Sequence, residues 1–438
     1  SQTGTVAIGS SALNALTSGA KNTAVGYQAG TAMTDGTDCT ILGYQAGLAM
    51  TGANNNVAIG TDALQTMVHG DNNTAVGLGA LKQANEAGIN RNTAVGHTAA
   101  TNLSTATSTT AIGSRAMGTG VVTGDNNVAV GESAGAAMTS GDANVIIGSE
   151  AGAANATGSS NVYIGARAAD VIADGVGNTV VGKDAFGGVS GADCDHNVAI
   201  GLDAMLGNSS SIADDNVAIG YLALTAFTSG SSNTTVGVHA GKAITSGYRN
   251  TLIGSTAGDL LVDGFNNICL GAAIDCSATD AENQIVIGYN YAGTADRTVH
   301  IGDGSNHLHT AFSSASWSAT SDIRQKKNIK DDSLGLEFIK SLRTTTYNHK
   351  SPSEFPKEWD SYDIDNKKPM DGDTVFHSLI AQEVKQSLDD IDCKTFGGWS
   401  VDSDGRQRVA KGEFITPLIK AIQELSEQVE DLKKQINK

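Results

Sequence analysis

One spacing constrains this chain more than anything else in it. A glycine closes the same short phrase at positions 9, 26, 43, 60, 77, 96, 113, 131, 148, 165, 182, 201, 220, 237, 254, 271, 288 and 302. The steps are mostly 17 residues, with three of 19, one of 18 and a last one of 14. A fixed period sustained this long means a stacked repeat, because a single unit cannot bury its own apolar face.

The phrase itself reads as a strand and a corner. The residue before the glycine is Val, Ile or Leu in all eighteen units, and the residue three before it is Val, Thr or Ile. Two such positions separated by one follow the two-residue period of a strand, with both side chains on one face. Between them stands most often Ala, as at Ala7, Ala24, Ala58 and Ala75, a small residue suited to a crowded opposite face. The glycine fits a corner that needs positive φ or close backbone approach. The Asn four residues before it reads as a turn residue that tolerates αL and bonds its own backbone. Three residues after the glycine, Ala recurs in fifteen units.

Together these features predict a mainly β protein, a β-solenoid or β-roll of about eighteen 17-residue repeats. At ~4.8 Å per coil it makes a rod on the order of 85 Å long. Aromatic residues are only 5% of the chain, so a broad core inside one chain is not expected. A narrow coil gains by wrapping around identical chains, and a parallel homotrimer is the expected assembly. Units such as Asn56-Val-Ala-Ile-Gly60 and Asn73-Thr-Ala-Val-Gly77 resemble the head repeats of trimeric autotransporter adhesins, which form a left-handed parallel β-roll, and tail-fibre repeats of bacteriophages. The autotransporter repeats are shorter. The resemblance covers residues 5 to 302.

Little chemistry is visible in the repeat. Acidic turns such as Asp71-Asn72-Asn73 and Asp125-Asn126-Asn127 offer oxygen ligands, but the Gly-Gly-x-Gly-x-Asp pattern of calcium-binding β-helices is missing. No metal and no cofactor is expected. His69, His97, His196, His239 and His300 are scattered without ligand spacing, and no carboxylate pair stands out for glycosidase chemistry. Before Ser321 there are 9 Lys and Arg against 24 Asp and Glu, which argues against nucleic acid as a partner. Five cysteines without a CxxC pair read as free core thiols, and no apolar run of membrane length is present, so no membrane insertion is expected.

The composition changes at Ser321. All four prolines, Pro352, Pro356, Pro369 and Pro417, lie beyond it. The sequence divides into a repeat shaft over 1–302, a Ser/Thr/Ala-rich connector over 303–320, and a small α+β domain over 321–438. The last segment, 415–438, is a coiled-coil helix. Ile415, Leu418, Ile422, Leu425, Val429, Leu432 and Ile436 recur at spacings of 3 and 4, with Thr416 read as cap and Pro417 at the first helical position.

Four separated blocks carry a second resemblance: Ser321-Asp-x-Arg-x-Lys326-x-Asn-Ile, then Leu336-Glu-x-Ile-x-x-Leu342, then Leu379-Ile-Ala-Gln-Glu-Val384, then a terminal helix with Leu418-Ile-x-Ala-Ile-x-Glu-Leu425. In this order they resemble the intramolecular chaperone and auto-processing domain that ends phage endosialidases, tail spikes, neck appendages and L-shaped tail fibres. The resemblance implies a domain that trimerises and folds the shaft and then cuts itself free in a single-turnover autoproteolysis. Ser321 would be the nucleophile and Lys326 its base. The cleavage site would lie at Thr320, Ser321 and Asp322, with Arg324 available to the oxyanion. The expected protein is a virion tail fibre or spike, assembled in the host cytoplasm and contacting a bacterial surface receptor, a glycan or an outer-membrane protein. A cellular trimeric adhesin and a glycan-degrading tail spike are the alternatives.

Overall fold

Each repeat folds into one coil of a β-solenoid, and the coils stack through a parallel sheet. The computed structural model describes residues 3–84, 89–188, 194–207, 214–304, 307–312, 318–319, 323, 326–357, 362–369, 374–402 and 405–437. The chain divides into two compact units, Ser1–Thr320 and Ser321–Lys438.

Eighteen strands, beginning with Val6–Ile8 and Thr23–Val25 and ending with Ile285–Tyr289 and Thr298–Asp303, lie in register in one sheet. In most of them the three-residue strand buries its middle residue and leaves both flanks partly open. The small residue therefore faces the interior: Ala24, Ala58, Ala75 and Ala94 are fully buried. The Ala three residues after the corner is buried as well, from Ala29 onward through Ala257. A column of larger apolar side chains, including Met33, Met50 and Met67, fills the remaining space. One chain thus encloses its own narrow core, in which Tyr163, Phe186 and Phe227 are the largest of the fully buried side chains.

The aliphatic flanks face outward instead. Ile112, Ile147, Ile164, Ile200, Ile253 and Ile301 are 36–41% exposed, so a stripe of branched side chains runs along the outer face of the sheet.

The corner glycines have φ between +127° and +147°. They stack on one another, each close against the carbonyl of the next coil's glycine. The Asn before the strand behaves differently from its sequence reading. The αL conformation falls one residue earlier, at Lys21, Asn55, Asn72, Arg91 and Asn126, with φ of 57–63°. The Asn side chain itself is buried and bonds to neighbouring coils. The Asn161 amide donates to the Gly175 carbonyl at 2.6 Å and to Asn144 Oδ1 at 3.1 Å. Its own Oδ1 accepts from the backbone N–H of Asn178 at 2.9 Å and from the Asn178 amide at 3.2 Å. Repeated through the rod, this ladder satisfies the polar groups that each coil would otherwise bury unpaired.

The acidic turns form a second ladder. Asn54 donates its backbone N–H to Asp71 Oδ1 (2.8 Å), Thr107 to Asp125 Oδ1 (2.6 Å) and Asp125 to Asp142 Oδ1 (2.6 Å). Length variation leaves the stack undisturbed. Across the 19-residue steps the pairs Thr74↔Thr93, Thr179↔Val198 and Val198↔Val217 keep their register. Each of these longer units includes one of the stretches 85–88, 189–193 and 208–213, outside the described residues. After Gly302 the period ends, and His307–Ala311 pairs antiparallel with Thr298–Asp303, reversing the ladder.

The second unit is α+β. Helix α1 (Leu336–Ser341) leads to a strand, Thr345–Tyr347, paired antiparallel with Phe376–Ser378. Helix α2 (Ala381–Asp390) follows, then a hairpin of Trp399–Val401 and Gln407–Val409, then helix α3 (Ile415–Ile436). Its core joins Leu334, Phe338, Val384, Leu388 and Phe414. The helix begins one residue before the expected cap. A 3₁₀ turn over Lys411–Phe414 runs straight into it, so Thr416 lies inside the first turn and makes no cap bond. Pro417 is tolerated there because the first four N–H groups of a helix have no partner within it.

Candidate functional site

The expected chemistry centres on the boundary between the two units. Thr320, Ser321, Asp322 and Arg324 lie outside the described residues. Lys326 is described: it is exposed, and its backbone N–H donates to the Ile323 carbonyl at 3.1 Å. Residues 326–330 are all exposed. Because Ser321 lies outside the described residues, the Ser321–Lys326 pairing has no geometry here.

What holds the second unit together is clearer. The Glu424 carboxylate on α3 accepts the Leu336 backbone N–H at 2.7 Å, which satisfies the first turn of α1 and favours a negative charge at a helix N-terminus. Arg343 Nε donates to Glu383 Oε2 at 3.0 Å, tying the end of α1 to the start of α2. The hydrogen bond from the guanidinium draws the partly exposed Glu383 carboxyl below its ordinary pKa. Phe338, Phe396 and Phe414 pack ring to ring at centroid distances of 5.0–6.2 Å. These contacts connect the blocks Leu336–Leu342, Leu379–Val384 and the final helix, which sequence spacing alone could not join. A cleft of about 380 Å³ beside the short sheet is lined by Thr345, His377, Ser378, Leu379 and Lys411. Lys411 donates to the His377 carbonyl at 3.0 Å.

Along α3 the apolar seam is uncovered. Ile422 is 63% exposed, Leu425 49%, Val429 42% and Leu432 55%. Only the start of the helix, at Pro417 and Ala421, is buried in its own domain.

These observations bear on the comparison with known families. Residues 321–392 match the family model described as chaperone of endosialidase. The match begins at the residue where the two compact units divide, and it ends just after α2. A repeat solenoid followed by an endosialidase chaperone domain fits a tail fibre with a C-terminal chaperone domain. No curated protein and no solved structure matches the chain. Among the described residues, no helix is long and apolar enough to cross a membrane, and no group of three or more His, Cys, Asp or Glu could hold a metal ion.

Upstream of the chaperone domain, the last coil carries titratable groups that sequence reasoning did not single out. His300 is buried. Its Nδ1 lies 3.1 Å from the Tyr291 hydroxyl, its Nε2 lies 2.9 Å from Thr298 Oγ1, and the rings of His307 and His309 lie close by. Burial first, then these two imidazoles, push the His300 pKa down to about 4. Asp275, half-buried near the preceding coil and beside Asp259, is pushed up to about 6, chiefly by burial. The two act in opposite senses. Between pH 6.5 and 4 an unfolded His300 binds a proton that the folded one refuses, so stability falls as pH drops, by on the order of 2–3 kcal/mol in full. Over about pH 6 to 4 the folded Asp275 keeps a proton that the unfolded carboxylate releases, so stability rises as pH drops. The wild-type rod end should therefore change little between pH 7 and pH 5. Asp275→Asn, fixed in the neutral form, should expose the histidine's acid sensitivity as faster amide exchange in Thr298–Asp303 at pH 5, after correction for intrinsic rates. Identical pH profiles for variant and wild type would count against this balance.

Proposed function

We propose that the chain is a homotrimeric tail-fibre or tail-spike shaft that contacts a bacterial surface and is assembled by its C-terminal chaperone domain. The observation that carries this reading is the coincidence at Ser321: the solenoid unit ends, the second unit begins, and the family match begins, all at one peptide bond. Two uncovered apolar surfaces support a trimer of identical chains. One is the aliphatic stripe along the outer face of the solenoid; the other is the heptad seam of α3. Three parallel copies bring each stripe and each seam against its equivalents.

Once the shaft has folded, Ser321 and Lys326 release the chaperone domain. The Ser321 hydroxyl reaches the preceding carbonyl of Thr320 through a five-membered ring, with Lys326 taking the hydroxyl proton. The acyl group passes from nitrogen to oxygen, and water then hydrolyses the ester. The products are a carboxylate at Thr320 and a free amine at Ser321. Because Lys326 is exposed in the single chain, the low-polarity surroundings that a lysine base needs come from a neighbouring copy, which couples cutting to assembly. The solenoid keeps the bacterial-surface contact, a glycan or an outer-membrane protein.

Denaturing gels and light scattering test both parts. The wild type should separate into fragments 1–320 and 321–438, while Ser321→Ala and Lys326→Gln stay full length. The uncut variants should have three times the 44.6 kDa chain mass in solution. Equal fragment release from all three proteins ends the cleavage assignment, and a monomeric Ser321→Ala protein ends the assembly assignment.

A further inference from the structure

Five cysteines are spread through the chain, and in this structure all are thiols. Two of them meet. Cys269 Sγ and Cys276 Sγ lie 3.3 Å apart, both buried, across the Gly271 corner of a single coil. The other thiols are held elsewhere. Cys39 is engaged with the carbonyls of Thr37 and Ala53. Cys194 lies about four strand spacings back along the stack, roughly 19 Å. Cys393 belongs to the second unit.

We infer that Cys269 and Cys276 are an oxidation site that closes to an intrachain disulfide and staples the end of the rod. A disulfide needs sulfurs about 2.05 Å apart, so closure asks for an approach of about 1.2 Å shared between two side chains. The location gives the bond a purpose. Cys269 is the middle residue of the strand Ile268–Leu270, in the inward-facing column. Cys276 directly follows Ile274–Asp275, which pairs with Tyr291–Ala292 in a second, two-stranded ladder found at this end of the solenoid. The bond joins the main sheet to that ladder where the regular period is about to stop, and the end of a stack is where fraying starts.

The two sulfurs have different parts in the reaction. Cys269 is fully buried, while Cys276 retains 6% exposure. The contact with Cys276, then burial, push the Cys269 thiol pKa up, so Cys276 is the sulfur that meets an oxidant. With a peroxide as the oxidant, the Cys276 thiolate attacks the O–O bond, giving a sulfenic acid and hydroxide. The Cys269 sulfur then attacks the Cys276 sulfur and expels a second hydroxide. The two thiol protons convert both hydroxides to water. Two thiols are oxidised to one disulfide, and one hydrogen peroxide is reduced to two waters.

The test treats the whole protein with hydrogen peroxide, then denatures it, alkylates free thiols and digests it with trypsin. No Lys or Arg interrupts residues 250–296, so both cysteines fall in one peptide ending at Arg297. The expected result is a fall from five alkylated cysteines to three, with that peptide lighter by two hydrogen atoms, and slower amide exchange over 272–292 in the oxidised protein. Cys269→Ala restores the residue used at the same column in Ala24 and Ala58, so it should fold, and it should show no such peptide. Five thiols left intact, oxygen added to either cysteine without a bond, or a bond between different chains would each overturn the assignment. Unchanged exchange after oxidation would overturn the staple.

Discussion

A chain ending at Thr320 should accumulate as aggregate, with less than about a tenth of the soluble trimer proposed for the full chain. The reason lies in the repeat itself. Within one chain each coil needs only its neighbour, so stacking is local and favourable. Between chains nothing in the repeat fixes alignment: a slip of one 17-residue unit brings nearly the same side chains together again. In the proposed trimer, until three rods align, each exposes its stripe of Val, Ile and Leu. These are the surfaces that aggregate when association is slow. Residues 321–438 add a segment that does not repeat, and the α3 seam gives it one way to associate. Supplying that domain as a separate chain should rescue little, because register passes through the covalent link at residue 320. Size-exclusion chromatography with light scattering reads the result. A soluble, monodisperse trimer from residues 1–320 would remove any need for the chaperone role.

The solenoid was legible because its period repeats every local decision. Strand and corner can each be read from eighteen copies and the buried alanine from fifteen, and the register follows from the spacing of the glycines. The asparagines were harder. Asn161 bonds to Asn144, Gly175 and Asn178, at separations of 14 and 17 residues, which become contacts only when the coil closes at that length. A turn-forming side chain and a ladder-forming one look alike in a single repeat. In the second unit, the Leu336–Glu424 bond spans 88 residues and left no trace in either local pattern. Helix α3 was visible from its heptads, yet its start was not, because the 3₁₀ turn at Lys411–Phe414 is fixed by burial of Phe414 in the domain core. The Ser321–Lys326 motif was read from resemblance, since two residues at that spacing carry no packing signal of their own. Cys269 and Cys276 sat seven residues apart without a recognisable motif, and only the corner at Gly271 brings them together.

Gly60→Ala should cost more stability than any exposed substitution in the same coil. The glycine has φ of +133°, where an L side chain is strained whatever the space around it. A Cβ there would also lie 2.5 Å from the Gly77 carbonyl oxygen and 2.7 Å from its carbon. Both obstacles are backbone, so no side chain can swing aside to make room. Relief requires the coil at Gly60 to lift from the coil at Gly77. That would break the N–H···O bond from Gly77 to Ile59, 2.8 Å long, and disturb the strand pair Val57↔Thr74 beside it. Strain of about 1–3 kcal/mol from the backbone and a similar amount from overpacking give a loss on the order of 2–6 kcal/mol. Thr61→Ala, one residue on, removes an exposed side chain and should stay within about 0.5 kcal/mol of wild type. Because the stack is coupled through nearest neighbours, the damage should centre on coils 43–77 and fade along the rod. Amide exchange mapped by peptide after denaturation separates the two cases. Equal protection at residues 57–77 in both variants would show that the glycine column is a habit of the repeat and not a steric requirement of its stacking.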